Sequence, residues 1–154
     1  MKPSLYFALL ACASVGLVRP ASAADAPVLG PPPTDVVFFN HGWVDHVFTT
    51  GGALHLNNRY KVDAARRVAP GNVEIHTKDT DVFYIVDGSA TFLTGGTAVD
   101  QKEIYPGEIR AKSITGGTEH HLTKGDVIII PHGTPHQFTE VSGPFLYFVV
   151  KVTQ

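Results

Sequence analysis

Twelve residues, Gly125 to His136 (GDVIIIPHGTPH), restrict the fold of this chain more than any other stretch. Gly125 and Asp126 form a tight turn, and Val127 to Ile130 is an apolar, β-branched run of strand length. Pro131, Gly133 and Pro135 then end the strand and turn the chain, since proline fixes φ and lacks an amide donor. His136 opens the next strand, QFTEV. The effect is to place one imidazole at the start of a strand that follows a rigid turn.

The remainder of the chain agrees with a β-rich fold. Fifteen Gly and eleven Pro in 154 residues imply many turns, and so short strands rather than long helices. From Leu54 onward almost everything reads as β. Tyr60 to Val68 alternates over a long strand that ends at Pro70-Gly71. Further strands are expected at 73–76, 82–86, 90–93, 108–114, 120–123, 127–130, 136–141 and 145–152. Turns fall at Asp87-Gly88, at Ser142-Gly143-Pro144 and at two copies of Thr-Gly-Gly-Thr, Thr94–Thr97 and Thr115–Thr118, both read as hairpin ends. No helix follows either copy, as a phosphate-binding loop would require. Before the strands, Val36 to Phe39 is expected to begin the domain as a strand. Asn40 is expected to cap one short helix over Gly42–Thr50, with Val44, Val47 and Phe48 on one face and Gly51-Gly52 ending it. Short strands at regular spacing suggest a sandwich or a closed barrel, and closure removes edges that would otherwise need protection.

The first 24 residues read as a signal peptide. Lys2 is a minimal positive start, Leu5 to Val18 is mostly apolar, and Ala21-Ser22-Ala23 is a small-x-small cleavage signal. Fourteen residues interrupted by Ser14 and Gly16 are short for a membrane span. Leu9-Leu10-Ala11-Cys12 also resembles a lipoprotein signal, but Cys12 lies early for it, and secretion or periplasmic export is the preferred reading. Cleavage after Ala23 removes the only cysteine, so stability rests on the core and not on disulfides. Residues 25–34 form a Pro-rich tether, and 35–154 the folded domain. The net charge of −2, with no basic block, argues against a nucleic-acid partner. No Ser or Cys sits in a nucleophile-elbow context, so hydrolase chemistry has little support.

The spacing G-x5-P-x-G-x2-H of Gly125 to His136 is that of the second cupin motif, without a gap. Gly71 to Gly88 (GNVEIHTKDTDVFYIVDG) resembles the first, G-x5-H-x-H-x3,4-E-x6-G, in altered form. Gly71 is read as the opening glycine, with the spacer Asn72 to Ile75 one residue short before His76. Lys78 is read at the second His position, and Asp81-x6-Gly88 as the acidic end. The resemblance covers roughly residues 60 to 152 and implies an all-β double-stranded β-helix, a jelly-roll barrel with one short N-terminal helix.

It also implies a metal site inside the barrel. Glu74, His76 and Lys78 share one face of a continuing strand, as do Asp81, Phe83 and Ile85 on the next, and His136 lies with Phe138. His76, Asp81 and His136 are therefore the expected ligands of a divalent ion (Fe, Mn, Zn, Ni or Cu). Two imidazoles and a carboxylate with open positions suit such an ion. Lys78 is the expected catalytic group, a general base or an anchor for a substrate anion. Phe83, Phe92, Phe138, Tyr147 and Val149 read as barrel lining. His120 is expected to face inward by parity with Leu122, and His132 to be solvated. The function implied is a metal-dependent cupin acting on a small organic molecule by oxygenation, isomerisation or elimination. Two alternatives are a non-catalytic small-molecule-binding cupin and a metal-free isomerase or epimerase with His76 and Lys78 or a Tyr as acid and base; in the absence of metal a Lys78–Asp81 ion pair is expected to replace it. A homodimer is expected by analogy alone.

Overall fold

The computed structural model describes residues 29–154, which form one helix and eleven strands. The expected signal segment and the start of the tether lie outside the described residues. Residues 31–38 are exposed and without regular structure, so Val36–Phe39 is not the strand expected from its β-branched and aromatic content. Val36 and Phe38 are 95% and 81% exposed, and no strand edge pairs with them. Among the described residues no helix is long and apolar enough to cross a membrane.

Helix α1 (His41–Phe48) begins as expected at Asn40, whose side-chain oxygen accepts the Trp43 amide at 2.9 Å. Gly51, at φ 77°, closes it by donating to the Val47 carbonyl. The one fully buried residue of α1 is Phe48, whose ring meets Phe148 edge-on at 5.1 Å. The helix therefore lies on the outside of the sheet.

The strands are β1 (Gly52–Leu56), β2 (Tyr60–Arg67), β3 (Val73–His76), β4 (Asp79–Thr94), β5 (Thr97–Val99), β6 (Lys102–Tyr105), β7 (Glu108–Ala111), β8 (Ser113–Thr115), β9 (Thr118–Thr123), β10 (Val127–Ile130) and β11 (His136–Thr153). Nine of them form one antiparallel sheet, ordered β1-β2-β11-β3-β7-β6, with β4 pairing β11, β9 and β10. The long pair β4–β11 runs from His136↔Thr94 to Thr153↔Asp79 and is the spine on which the sheet rolls. Two expected turns are absent. Asp87-Gly88 and Ser142-Gly143-Pro144 are facing bulges in continuous strands, not chain reversals. Gly88, at φ 81°, lets the two backbones approach: an added Cβ would lie 2.6 Å from the Pro144 carbonyl oxygen.

The Thr-Gly-Gly-Thr copies are not hairpin ends either. Thr94 pairs Thr118 and Thr97 pairs Thr115, so the two segments lie side by side where a β5–β8 ribbon leaves the main sheet. Gly95, Gly96, Gly116 and Gly117 all have positive φ, and a Cβ on Gly96 or Gly117 would meet the opposing backbone within 2.8 Å. The repeat is a paired kink.

The interior is aromatic. Phe83, Ile85 and Phe92 from β4 pack with Phe138, Phe145, Tyr147 and Val149 from β11, together with Leu122 and Ile130. Phe92 and Phe138 rings stand 4.5 Å apart, and Phe145 and Tyr147 5.0 Å. Burial of each such side chain contributes about 1.5–3 kcal/mol, and with no cysteine after Cys12 it is this cluster that holds the fold.

Strand β2 is turned against its apparent pattern. Ala64 is fully buried on the face that α1 covers, while Asp63, Ala65 and Arg67 line an interior cavity. The charged stripe of β2 faces inward because a helix covers the apolar one. In register across β2, β11 and β4 stand Lys61, Lys151 and Asp81, then Asp63, Val149 and Phe83.

Candidate metal centre

Three strand pairings bring the ionisable side chains together. Cross-strand pairing of β11 with β3 sets His136 opposite Glu74, and pairing of β3 with β7 sets His76 opposite Glu108. Pairing of β4 with β11 sets Asp81 opposite Lys151. The turn before β11 is tied to β3 at its end, where the Gly133 amide donates to the His76 carbonyl at 2.7 Å. Further along, the Gly71 amide donates to the Phe138 carbonyl at 3.0 Å, and Gln137 Nε2 to the Gly71 carbonyl at 2.9 Å. The two motif segments are thus laced together by backbone bonds, which positions their side chains far better than loops would.

Glu74, His76 and His136 offer ligand atoms that all lie within 4.8 Å of one another. Asp81 stands beside them, its Oδ2 at 3.5 Å from His76 Nε2, and Glu74 Oε2 is 3.7 Å from the same nitrogen. An ion with ligands at about 2.1 Å sets neighbouring ligand atoms roughly 3.0 to 3.4 Å apart. The two spacings at His76 Nε2 are close to that range. His76, Asp81 and His136 are 4%, 2% and 4% exposed, so all three are removed from bulk water.

The tautomers follow from the partners. His136 Nδ1 lies 3.0 Å from the Thr134 carbonyl, which can only accept, so Nδ1 carries the proton. Burial lowers the pKa of His136, keeping the ring neutral and leaving Nε2 with a lone pair. His76 Nδ1 lies 2.8 Å from Glu108 Oε1. Burial would raise the pKa of Glu108, but the His76 hydrogen bond and charge, helped by Arg110 and Lys151, hold it at about 2. Facing an ionised carboxylate, Nδ1 of His76 carries a proton. Its Nε2 is buried without a hydrogen-bond partner, as is Asp81 Oδ1.

That arrangement tests the site for a metal. A neutral ring would turn its Nε2 lone pair toward two carboxylate oxygens with nothing between, a contact relieved by a cation there, either the ring's own second proton or a metal ion. A divalent ion fits the donor set of two imidazoles and two carboxylates. Glu108 holds the outer nitrogen of His76, the support that histidine ligands commonly have. Against it stands Lys151, whose ammonium is 2.6 Å from Asp81 Oδ2 and already neutralises that carboxylate.

Lys78 is not part of this cluster. Strand β3 ends at His76, and Lys78 sits exposed in the bend before β4, so strand parity does not carry to it. The ammonium at the cavity is that of Lys151, which the sequence reading did not single out. Glu74 was likewise missed as a donor, and its signal was present. Glu74-Ile75-His76, four residues, Asp81, six residues, Gly88 has the spacing H-x-H-x4-E-x6-G, with Glu74 at the first His position, His76 at the second and Asp81 at the Glu. Anchoring the motif on Gly71 shifted the register by two. His120 is half-buried and hydrogen-bonded to Thr94 Oγ1 at 2.9 Å, apart from the cluster, and His132 is exposed.

No protein-family model matches the chain, and no curated protein matches it in sequence. Solved structures do share its fold. Similar to it are BH2720 from Bacillus halodurans (TM-score 0.56, 15% identity, 82% of this chain and 87% of that one), and an uncharacterized conserved protein with a double-stranded β-helix domain from Klebsiella pneumoniae (0.52, 16%, 77% and 91%). The cupin domain of Schizosaccharomyces pombe Cnp3 matches at TM-score 0.50 and 12% identity, over 68% of this chain and 64% of that one. The rolled sheet is a cupin double-stranded β-helix.

Proposed function

We propose that this cupin-fold chain holds a divalent metal ion through Glu74, His76 and His136, with Asp81 as a further donor, and acts on a small organic molecule in the cavity beside them. The observation that carries this reading is the unpartnered, buried His76 Nε2, set against two carboxylate oxygens at 3.5 and 3.7 Å. The bound ion would supply Lewis acidity toward a substrate oxygen or a site for dioxygen. The chain's own residues do the rest. Glu108 holds the tautomer of His76, and the Thr134 carbonyl holds that of His136. Phe83, Phe138 and Val149 keep the cavity wall apolar, and Lys151 places an ammonium where a proton can be exchanged with Asp81. Oxygenation, isomerisation and elimination are all within reach of this set. Export to the periplasm or beyond, read from residues 1–24, belongs to the same proposal.

The Lys151–Asp81 pair supports a second reading, a metal-free cupin in which the ammonium replaces the ion and the barrel only encloses its ligand. Metal analysis separates the two. Untagged protein reconstituted with Mn, Fe, Ni, Zn or Cu is expected to retain one of them near stoichiometrically, and folded His136→Ala to lose it. Wild-type protein that retains none of the five under conditions where it is folded would sink the metal reading and leave the second.

A further inference from the structure

Beyond the ligand cluster, the cavity of about 150 Å³ has a second polar wall that the metal does not use. Asp63 and Arg67 line it from β2, separated by Ala65, whose small side chain leaves the space between them open. Each carries a buried polar atom with no hydrogen-bond partner: Oδ1 of Asp63, an acceptor, and Nε of Arg67, a donor. Buried groups of this kind are costly unless something fills them. The Arg67 guanidinium is held in place beside the Tyr147 phenol, which its charge and a hydrogen bond reach, while its Nε stays unpartnered. It lies over the Phe138 ring at 4.6 Å, and its Nη2 is 3.7 Å from Glu74 Oε1, too long for a hydrogen bond. Gly71 makes room for it, since a Cβ there would lie 2.5 Å from Arg67 Nη1. The Tyr147 phenol, on the same wall, has its pKa raised by burial against the opposing Arg67 charge and hydrogen bond, and adds an O–H donor.

Charge decides the ligand class. Around the site stand four cations (Lys61, Arg67, Arg110, Lys151) and four carboxylates (Asp63, Glu74, Asp81, Glu108), paired in a chain of contacts between 2.6 and 3.7 Å. The shell is balanced by itself, so a divalent ion leaves it positive and favours an anionic occupant. Asp63 and Arg67 are four residues apart on one strand, roughly 13 Å between Cα atoms, which suits a ligand with polar groups at its two ends.

We infer that the cavity takes a short hydroxycarboxylic acid, its carboxylate on Arg67 and Tyr147 and its hydroxyl donated to Asp63, with the carbon chain along Ala65, Phe83 and Val149. This names the substrate class of the site proposed above and rests on that reading.

Three probes of equal chain length test it by calorimetric titration of the zinc-loaded protein and of the metal-stripped protein: 4-hydroxybutyrate, butyrate and 1,4-butanediol. In the zinc-loaded wild type, 4-hydroxybutyrate is expected to bind about tenfold or more tightly than either analogue, the margin of one hydrogen bond to a charged group. Arg67→Met removes the preference for the acid over the diol. Gly71→Ala, which keeps every charge but displaces the guanidinium, does the same and covers the case in which Arg67→Met fails to fold. Asp63→Ala makes 4-hydroxybutyrate and butyrate equal. Zinc content stays unchanged in all three. Stoichiometric zinc with no binding of 4-hydroxybutyrate, or with binding indifferent to Arg67 and Gly71, overturns the subsite and leaves the metal reading intact. An Arg67-dependent preference that persists in a wild type unable to hold zinc supports the subsite and ends the metal reading.

Discussion

Lys151→Met puts the competition between ammonium and metal to direct measurement. The Lys151 Nζ to Asp81 Oδ2 distance of 2.6 Å corresponds to an attraction of about 6 kcal/mol at an effective dielectric of about 20. Much of that offsets the cost of removing both groups from water, and a fifth of the Lys151 side chain remains exposed. Truncating the lysine leaves Asp81, 2% exposed, as an unpaired buried carboxylate, for which a loss of about 3 kcal/mol is expected. In a domain of this size that is a fall in melting temperature of roughly 10 °C. The loss applies to the metal-free protein. With Asp81 freed from its partner, zinc should bind more tightly, by at most about a hundredfold if all 3 kcal/mol is recovered, and zinc should restore the melting temperature. Thermal denaturation and competition with a chromophoric chelator read the two halves. A metal-free variant within about 0.5 kcal/mol of wild type, or one that binds zinc more weakly, would refute the account of Asp81 as a donor shared between ammonium and ion.

Two further outcomes test the supports of the site. Glu108 has its pKa lowered from 4.5 to about 2, so its stabilisation is complete above pH 4.5 and is lost as pH falls toward 2. Glu108→Gln should therefore flatten the acid limb of the pH–stability curve in that window and weaken metal binding about 10- to 100-fold; an unchanged slope counts against the His76–Glu108 bond. Gly88→Ala combines a left-handed backbone with a Cβ 2.6 Å from the Pro144 carbonyl oxygen, and should cost at least about 2 kcal/mol in urea denaturation, whereas a loss under about 0.5 kcal/mol would show that the facing bulges are free to shift.

How far the residues alone could be read depended on whether a signal was local. Asn40 as a helix cap, Gly51 as its stop and His136 behind its rigid turn all follow from neighbouring residues, and all three stand as read. So does the burial of His76 and Asp81 on one side of the sheet. Much of what failed was decided by partners distant in sequence. Glycines that look like hairpin turns at 88 and 143 are bulges because β4 and β11 pair along their whole lengths. The Thr-Gly-Gly-Thr copies meet each other, which neither shows by itself. Val36 to Phe39 has strand composition but pairs with no strand. Lys78 was placed inward by extending an alternation two residues beyond the end of its strand, while Lys151, seventy positions from its carboxylate, left no local trace.

The direction in which β2 faces has a consequence for how this protein could be lost or gained. Sliding that strand by one position against β11 would keep its hydrogen-bond ladder and present Val62, Ala64 and Arg66 to the interior where Asp63, Ala65 and Arg67 now stand. Such a molecule would keep the ligand cluster on β3, β4 and β11 but lose the Asp63 and Arg67 wall beside it. A single inserted or deleted residue near Asn57, in the bend that feeds β2, therefore separates a barrel with two polar walls from one that keeps only the ligand cluster.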